Sequence, residues 1–180
     1  MEINNTNCVK IKLPNGKVAD ILSPVIATIS RWIQDSAEKP ESGGYIVGYQ
    51  HQTSENISLE AVSPPFPLDS QTRIHFEIRD PKHILFLKRA KQKKSYYMGV
   101  WHTHPQADPA PSSVDWEDWI ATMNSDKTGS RYVFFIIAGT VFWRIWVGDM
   151  ETKEIIECEE CAKDLAGIYF KEGKADESIE

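Results

Sequence analysis

The chain has 180 residues, a length that favours one domain with a substantial core. Hydrophobic residues make up 41% and charged residues 26%, with six Trp and seven Phe to fill an interior, the composition of a soluble globular protein. The net charge of −6 argues against nucleic acid as a partner, because displacing counterions from phosphates takes a basic surface.

In chain order, residues Val9 to Leu13 alternate with lysines ahead of Pro14-Asn15-Gly16, which predicts a strand and a turn. Ser23-Pro24 predicts a helix with a serine cap and proline at its first position. Val25, Ile26, Ile29, Trp32 and Ile33 supply its apolar face, and it is expected to stop before Pro40. Gly44 to Tyr49 and Ile57 to Val62 read as strands, and Ser63 to Ser70 is too proline-rich for either element. Thr72 to Ile78 alternates as one strand. Asp80-Pro81 then caps a second helix that carries Lys88, Arg89, Lys91, Lys93 and Lys94. Cations suit a helix carboxyl end, and an acidic partner surface is the other reading.

Tyr96 to His104 reads as a strand, Val114 to Met123 as a helix opened by Ser112 or Ser113, and Tyr132 to Ala138 with Val141 to Val147 as a hairpin. A strand around Glu154 to Cys158, a short helix around Ala162 to Phe170 and a charged tail over Lys171 to Glu180 complete the pattern. The expectation is one domain over 1–170 and a flexible 171–180 tail, in an α/β or α+β fold whose central mixed sheet is flanked by helices. The apolar run from Tyr132 to Trp143 is too short to cross a bilayer. The first residues, MEINNTNCVKIKL, hold no signal-peptide core, so a cytoplasmic protein without a membrane partner is expected. Cys8, Cys158 and Cys161 form no disulfide framework, and the Cys158/Cys161 pair has no second pair with which to hold a structural zinc.

The run His102-Thr103-His104 through Ser112 and Asp115 carries the chemistry. Histidines two apart on a strand share a face. Asp115, eleven residues past His104, can return to that face through a loop stiffened by Pro105, Pro109 and Pro111. Two imidazoles and one carboxylate leave a fourth position of a tetrahedral Zn2+ open to water, whose pKa the ion lowers to about 7. A peptidase also needs a base. Glu41 is the candidate, beside Gly43-Gly44 at a strand mouth, with Glu38 as competitor. Ser112 reads in two ways: as a capping partner of Asp115, or as a hydroxyl donor to a developing oxyanion.

His-Thr-His-Pro, with Ser112 seven residues beyond Pro105, and Ser-x-x-Asp resemble the JAMM motif of the JAB/MPN metalloproteases, and Glu41 to Gly48 resembles the family's upstream Glu-x-x-Gly strand. The order of predicted elements is similar to the family fold from about Lys10 to Val147. The resemblance implies a cytidine-deaminase-like sandwich, zinc on His102, His104 and Asp115, Glu41 as general base and Ser112 as oxyanion stabiliser. It further implies hydrolysis of an isopeptide or peptide bond after the tail of a ubiquitin-like protein, and a place in the family's prokaryotic branch. That branch stands beside E1-like and E2-like proteins in antiphage operons, and one group deconjugates a nucleotide-cyclising enzyme in cyclic-oligonucleotide signalling defence (CBASS).

An extended tail could add to a strand edge in Thr72 to Ile78, with flaps at Pro64 to Asp69 or Ala107 to Pro111; both flaps also read as plain turns. Trp116 reads either as core or as pocket lining. The alternative from a different class is a catalytically silent MPN-type scaffold. A cupin-type His-x-His oxygenase is disfavoured by the three capped helices, and a nucleic-acid processing relative by the acidic balance.

Overall fold

A computed structural model describes residues 8–125 and 127–161. The elements in chain order are β1 (Cys8–Lys12), β2 (Val18–Leu22), α1 (Ser23–Ser30), β3 (Gly43–Gln50), β4 (Ile57–Val62), β5 (Ser70–Thr72) and β6 (His75–Glu77). Then follow α2 (Lys82–Gln92), β7 (Tyr96–Thr103), α3 (Ser113–Ser125), β8 (Tyr132–Ala138), β9 (Trp143–Asp149), β10 (Ile155–Glu157) and β11 (Glu159–Glu160). Nine strands form one mixed sheet in the order β10-β9-β8-β7-β3-β4-β2-β1-β11, and β5 pairs with β6 in a separate hairpin. The pairs β2/β4 and β7/β8 are parallel and the other pairs antiparallel. This is the expected mixed sheet flanked by helices. The chain leaves β10 at Glu157 and enters β11 at Glu159, a span of at most about 7 Å, so the sheet curls until its two edges nearly meet.

All seven residues of β8 are buried, as expected of a central strand covered on both faces. Strand alternation divides them. Tyr132, Phe134, Ile136 and Ala138 join a core with Val25, Ile26 and Ile29 of α1, whereas Val133, Phe135 and Ile137 join Trp119 and Met123 of α3. Trp119 stacks on Phe135 with centroids 4.8 Å apart, which fixes the rotation of α3 over the sheet. Each such side chain contributes about 1.5–3 kcal/mol on burial, enough to hold α3 against the sheet although Val114, Trp116 and Ile120 stay exposed.

Several boundaries differ from the sequence reading. Helix α1 begins at Ser23 itself with Leu22 as its extended cap residue, and no side chain caps it, because β2 runs straight into the helix. It ends at Ser30, so Trp32 and Ile33 lie beyond it and Trp32 is exposed. Val18–Leu22 is an additional strand, closed onto β1 by the Leu13–Lys17 turn with Gly16 at φ 82°. Thr72 to Ile78 is not one strand: the chain reverses at Arg73-Ile74 between β5 and β6. For α2 the Asp80 carboxylate does accept the Lys82 N–H at 2.9 Å, as a cap would, although the helix proper starts at Lys82. The short helix expected at Ala162 to Phe170 and the tail 171–180 lie outside the described residues.

Strand β7 sits between β3 and β8 and carries a bulge: Ile46 faces Gly99 but Val47 faces Tyr97, leaving Met98 as the extra residue. A one-residue shift exchanges the faces of every later side chain, so this bulge sets where His102 points. Gly99 permits it with φ 143°, and a Cβ there would lie 1.9 Å from the Phe134 carbonyl oxygen. Gly99→Ala is therefore expected to cost about 3 kcal/mol in urea denaturation. A loss below about 1 kcal/mol would show that the strand can relax around the new methyl group.

Candidate metal centre

His102 is the penultimate residue of β7, which ends at Thr103, and His104 continues its pairing by donating its N–H to the Ala138 carbonyl at 3.0 Å. Both imidazoles consequently fall on one side of the sheet, while Thr103 between them turns the other way and is fully buried. Their Nε2 atoms are 3.1 Å apart. Asp115 arrives from the first turn of α3, with Oδ1 3.1 Å from His102 Nε2 and Oδ2 3.5 Å from His104 Nε2. Glu41 lies just before β3, 6% exposed, with a carboxylate oxygen within 4.8 Å of donor nitrogens on both histidines. Glu38 is exposed and is not part of the cluster.

Ser112 and Asp115 form a reciprocal capping box. Asp115 N–H donates to Ser112 Oγ at 3.1 Å, and Ser112 N–H donates back to Asp115 Oδ2 at 2.6 Å. The Ser112 hydroxyl also donates to Oδ2 at 2.8 Å. The capping role and the approach to the histidines coexist, and the cap fixes the orientation in which Asp115 meets them.

The donor set fits a small divalent ion. The Nε2–Nε2 separation of 3.1 Å and the 3.1 Å from His102 Nε2 to Asp115 Oδ1 are close to the edge of a tetrahedron whose ligands stand 2.0–2.1 Å from the centre, about 3.3 Å, whereas His104 meets the other oxygen, Oδ2, at 3.5 Å. Glu41, His102 and His104 also bring one donor atom each within 4.8 Å of one another. Burial would raise the Asp115 pKa, but hydrogen bonds and charge from His102 and His104 outweigh it and hold the carboxyl far below its usual range. Burial would lower the His104 pKa, yet Asp115 and Glu41 carry it above the ordinary imidazole value. Burial raises the Glu41 pKa, partly offset by the two histidines, which keeps it a better proton acceptor than a free carboxylate.

The cluster opens into a cavity of about 970 Å³ walled by β6, α2 and α3, with Ile74, Phe76, Ile84, Leu87 and Trp119 among its apolar lining. Trp116 does not line it; it packs edge-on against Trp119 at 5.2 Å. The 63–69 segment is pinned down: Asp69 accepts N–H groups from Phe66, Arg79 and Asp80, and its Oδ2 stands 2.7 Å from His83 Nε2. His83 Nδ1 lies 2.8 Å from Ser63 Oγ. That Asp-His-Ser geometry resembles a hydrolytic triad, but Ser63 and His83 are fully buried and Ser63 Oγ already accepts the Tyr45 N–H, so it is a strut. Arg144 donates to the Pro109 carbonyl at 3.1 Å and steadies the loop between His104 and Ser112. Sequence pattern marked neither strut, because both depend on residues brought together only by the fold. Burial pushes the Cys158 thiol up to about 12 and raises that of Cys161, so both stay protonated.

The model of prokaryotic homologs of the JAB domain matches residues 23–148, and the chain belongs to this family. Curated relatives named CD-NTase/cGAS isopeptidase are 27% identical in Escherichia coli, 29% in Pseudomonas aeruginosa and 25% in Vibrio cholerae. Those alignments cover 71%, 63% and 68% of this chain and 79%, 72% and 78% of the relatives. A solution structure of a Desulfitobacterium hafniense protein shares the fold at a TM-score of 0.53 and 14% identity, over 78% of this chain and 88% of that one. Among the described residues no helix is long and apolar enough to cross a membrane.

Metal binding requires neutral imidazole, and a proton competes with the ion at His104. Zinc affinity measured by titration is therefore expected to be fully developed only above the His104 pKa and to fall as pH drops through that pKa, raised above its ordinary 6.5. Affinity independent of pH between about 8 and 6 would contradict a histidine-held ion.

Proposed function

We propose that this protein is a zinc-dependent isopeptidase working in the cytoplasm as a single domain over residues 1–170. The observation that carries the reading is the convergence of His102, His104 and Asp115 within 3.1–3.5 Å of one another, with a Glu41 oxygen within 4.8 Å of both imidazoles. The two imidazoles and the Asp115 carboxylate would hold the ion. A zinc ion held there supplies Lewis acidity that brings the pKa of a water down to about 7.

Glu41, buried and raised in pKa, takes the proton from the attacking water and returns it to the departing amine. Ser112 rotates its hydroxyl from Asp115 toward the negative charge that develops on the scissile carbonyl oxygen. Strand β6 pairs only with β5 among the described residues, and its residues line the cavity. An extended protein tail can add along that edge, with main-chain hydrogen bonds for affinity and the apolar cavity for side-chain selection.

The named relatives support a conjugated protein as substrate. We propose a CD-NTase, the nucleotide-cyclising enzyme of CBASS, linked by an isopeptide bond, or a ubiquitin-like protein attached by E1-like and E2-like partners. The net charge of −6 supports a protein rather than a nucleic-acid substrate.

The test incubates zinc-loaded protein with a CD-NTase joined through an isopeptide bond to a second protein, and follows release of the two parts. Cleavage is expected, and Glu41→Gln should keep its zinc yet turn over about 10²–10⁴-fold more slowly. Ser112→Ala should lose about 10²–10³-fold in kcat. Near-normal cleavage by the Glu41 variant would remove Glu41 from the role of base. An inert zinc-loaded wild type would point to a scaffold instead.

A further inference from the structure

Gln34 follows α1 in an irregular stretch, yet it is 3% exposed. Its carboxamide touches three separate pieces of the site. The amide nitrogen donates to the Arg73 carbonyl at the tip of the β5–β6 hairpin at 2.9 Å, and to the Lys39 carbonyl, two residues before Glu41, at 3.3 Å. The amide oxygen accepts the Thr103 hydroxyl at 3.0 Å, and Thr103 is the residue between the two histidines.

The same three pieces are tied to one another. Thr103 Oγ1 accepts the Ser42 N–H at 3.0 Å, and Thr103 N–H donates to the Ser42 carbonyl at 2.9 Å. Glu41 N–H donates to the Thr72 carbonyl at 2.7 Å, and the Gln71 side chain donates to the Glu41 carbonyl at 3.1 Å. Both main-chain groups of Glu41 are thus held by the strand that leads into the hairpin, and Ser42 is held by Thr103 at the end of β7. A buried amide with both ends satisfied tolerates no displacement of one partner without loss at the others.

We infer that Gln34, acting through Thr103, is a positioning residue that locks the β5–β6 hairpin in register with Glu41 and with the His102-Thr103-His104 segment. The hairpin forms a wall of the cavity, with Ile74 at its tip 81% exposed, so whatever docks along it is mechanically connected to Glu41. The catalytic consequence rests on the proposed role of Glu41 as base; the coupling itself does not. Gln34 touches no reacting atom, and its effect on turnover is exerted through Glu41.

The experiment measures amide hydrogen exchange in metal-free protein without substrate, for wild type, Gln34→Met, Thr103→Val and Thr103→Ser. Gln34→Met alters neither atom of the Glu41–Thr72 bond. The coupling nevertheless predicts at least about tenfold faster exchange of the Glu41 amide, with β8 amides unchanged. Thr103→Val is expected to do the same and Thr103→Ser, which keeps the hydroxyl, to behave as wild type. Unchanged exchange at Glu41, or equal acceleration throughout β8, would overturn the coupling. With the conjugate described above, Gln34→Met should show kcat reduced about tenfold, KM within about twofold and zinc per chain as in wild type. Full kcat would overturn the positioning role. A wild type that cleaves nothing leaves the exchange result standing and removes only the proposed reaction.

Discussion

Strand β7 can deliver two imidazoles to one cavity only because of how its two neighbours hold it. Its pairing with β3 is shifted by the Met98 bulge, its pairing with β8 is parallel and regular, and Gly99 supplies the backbone conformation that reconciles the two. From that shift onward the alternation of the strand decides everything else at its end. His102 and His104 face the cavity, and Thr103 turns into the interior on the opposite side, where Gln34 meets it. Asp115 is positioned against this strand by α3, whose rotation is set by Trp119 on Phe135 and whose first turn is closed by Ser112. Glu41 is positioned through β3, the strand that pairs with β7 on its other side.

The four charged or titratable groups of the cluster are consequently supplied by elements far apart in sequence and held by independent packing. Their electrostatics follow from that crowding. A carboxylate between two imidazoles stays ionised despite burial, the imidazole beside it becomes more basic, and a second buried carboxylate without a hydrogen-bonding cation is raised. Such opposite shifts on neighbouring carboxylates suit the two groups to different tasks. The largely apolar wall of the cavity beside them lowers the local dielectric and strengthens these interactions.

The residues of the candidate site were legible in the sequence because each depends on a local rule: alternation for His102 and His104, a capping pair for Ser112 and Asp115, a glycine pair after Glu41. The strands of the central sheet were legible for the same reason, through continuous apolar runs such as Tyr132 to Ala138. What escaped were features created by long-range pairing. The hairpin at Arg73-Ile74 lacks glycine or proline at its turn, so TRIHFEI read as one alternating strand. Strand β11 has only two residues and exists because the curled sheet brings β1 to meet it. Strand β2 passed unread between a turn and a helix start. Gln34 and the buried Asp69–His83–Ser63 strut carry no periodic signal, since their burial is decided by loops that fold back over the sheet. The serine cap of α1 failed because the preceding strand, not a side chain, leads into that helix.

The most direct measurement is X-ray absorption at the zinc edge on protein reconstituted with one equivalent of zinc. Two imidazoles and a carboxylate at His102, His104 and Asp115 predict only nitrogen and oxygen neighbours at about 2.0–2.2 Å, with the outer-shell scattering of two imidazole rings, and loss of that signature in Asp115→Ala. A sulfur neighbour at about 2.3 Å, or a spectrum unchanged in that variant, would contradict the site and move the ion to the cysteines or elsewhere.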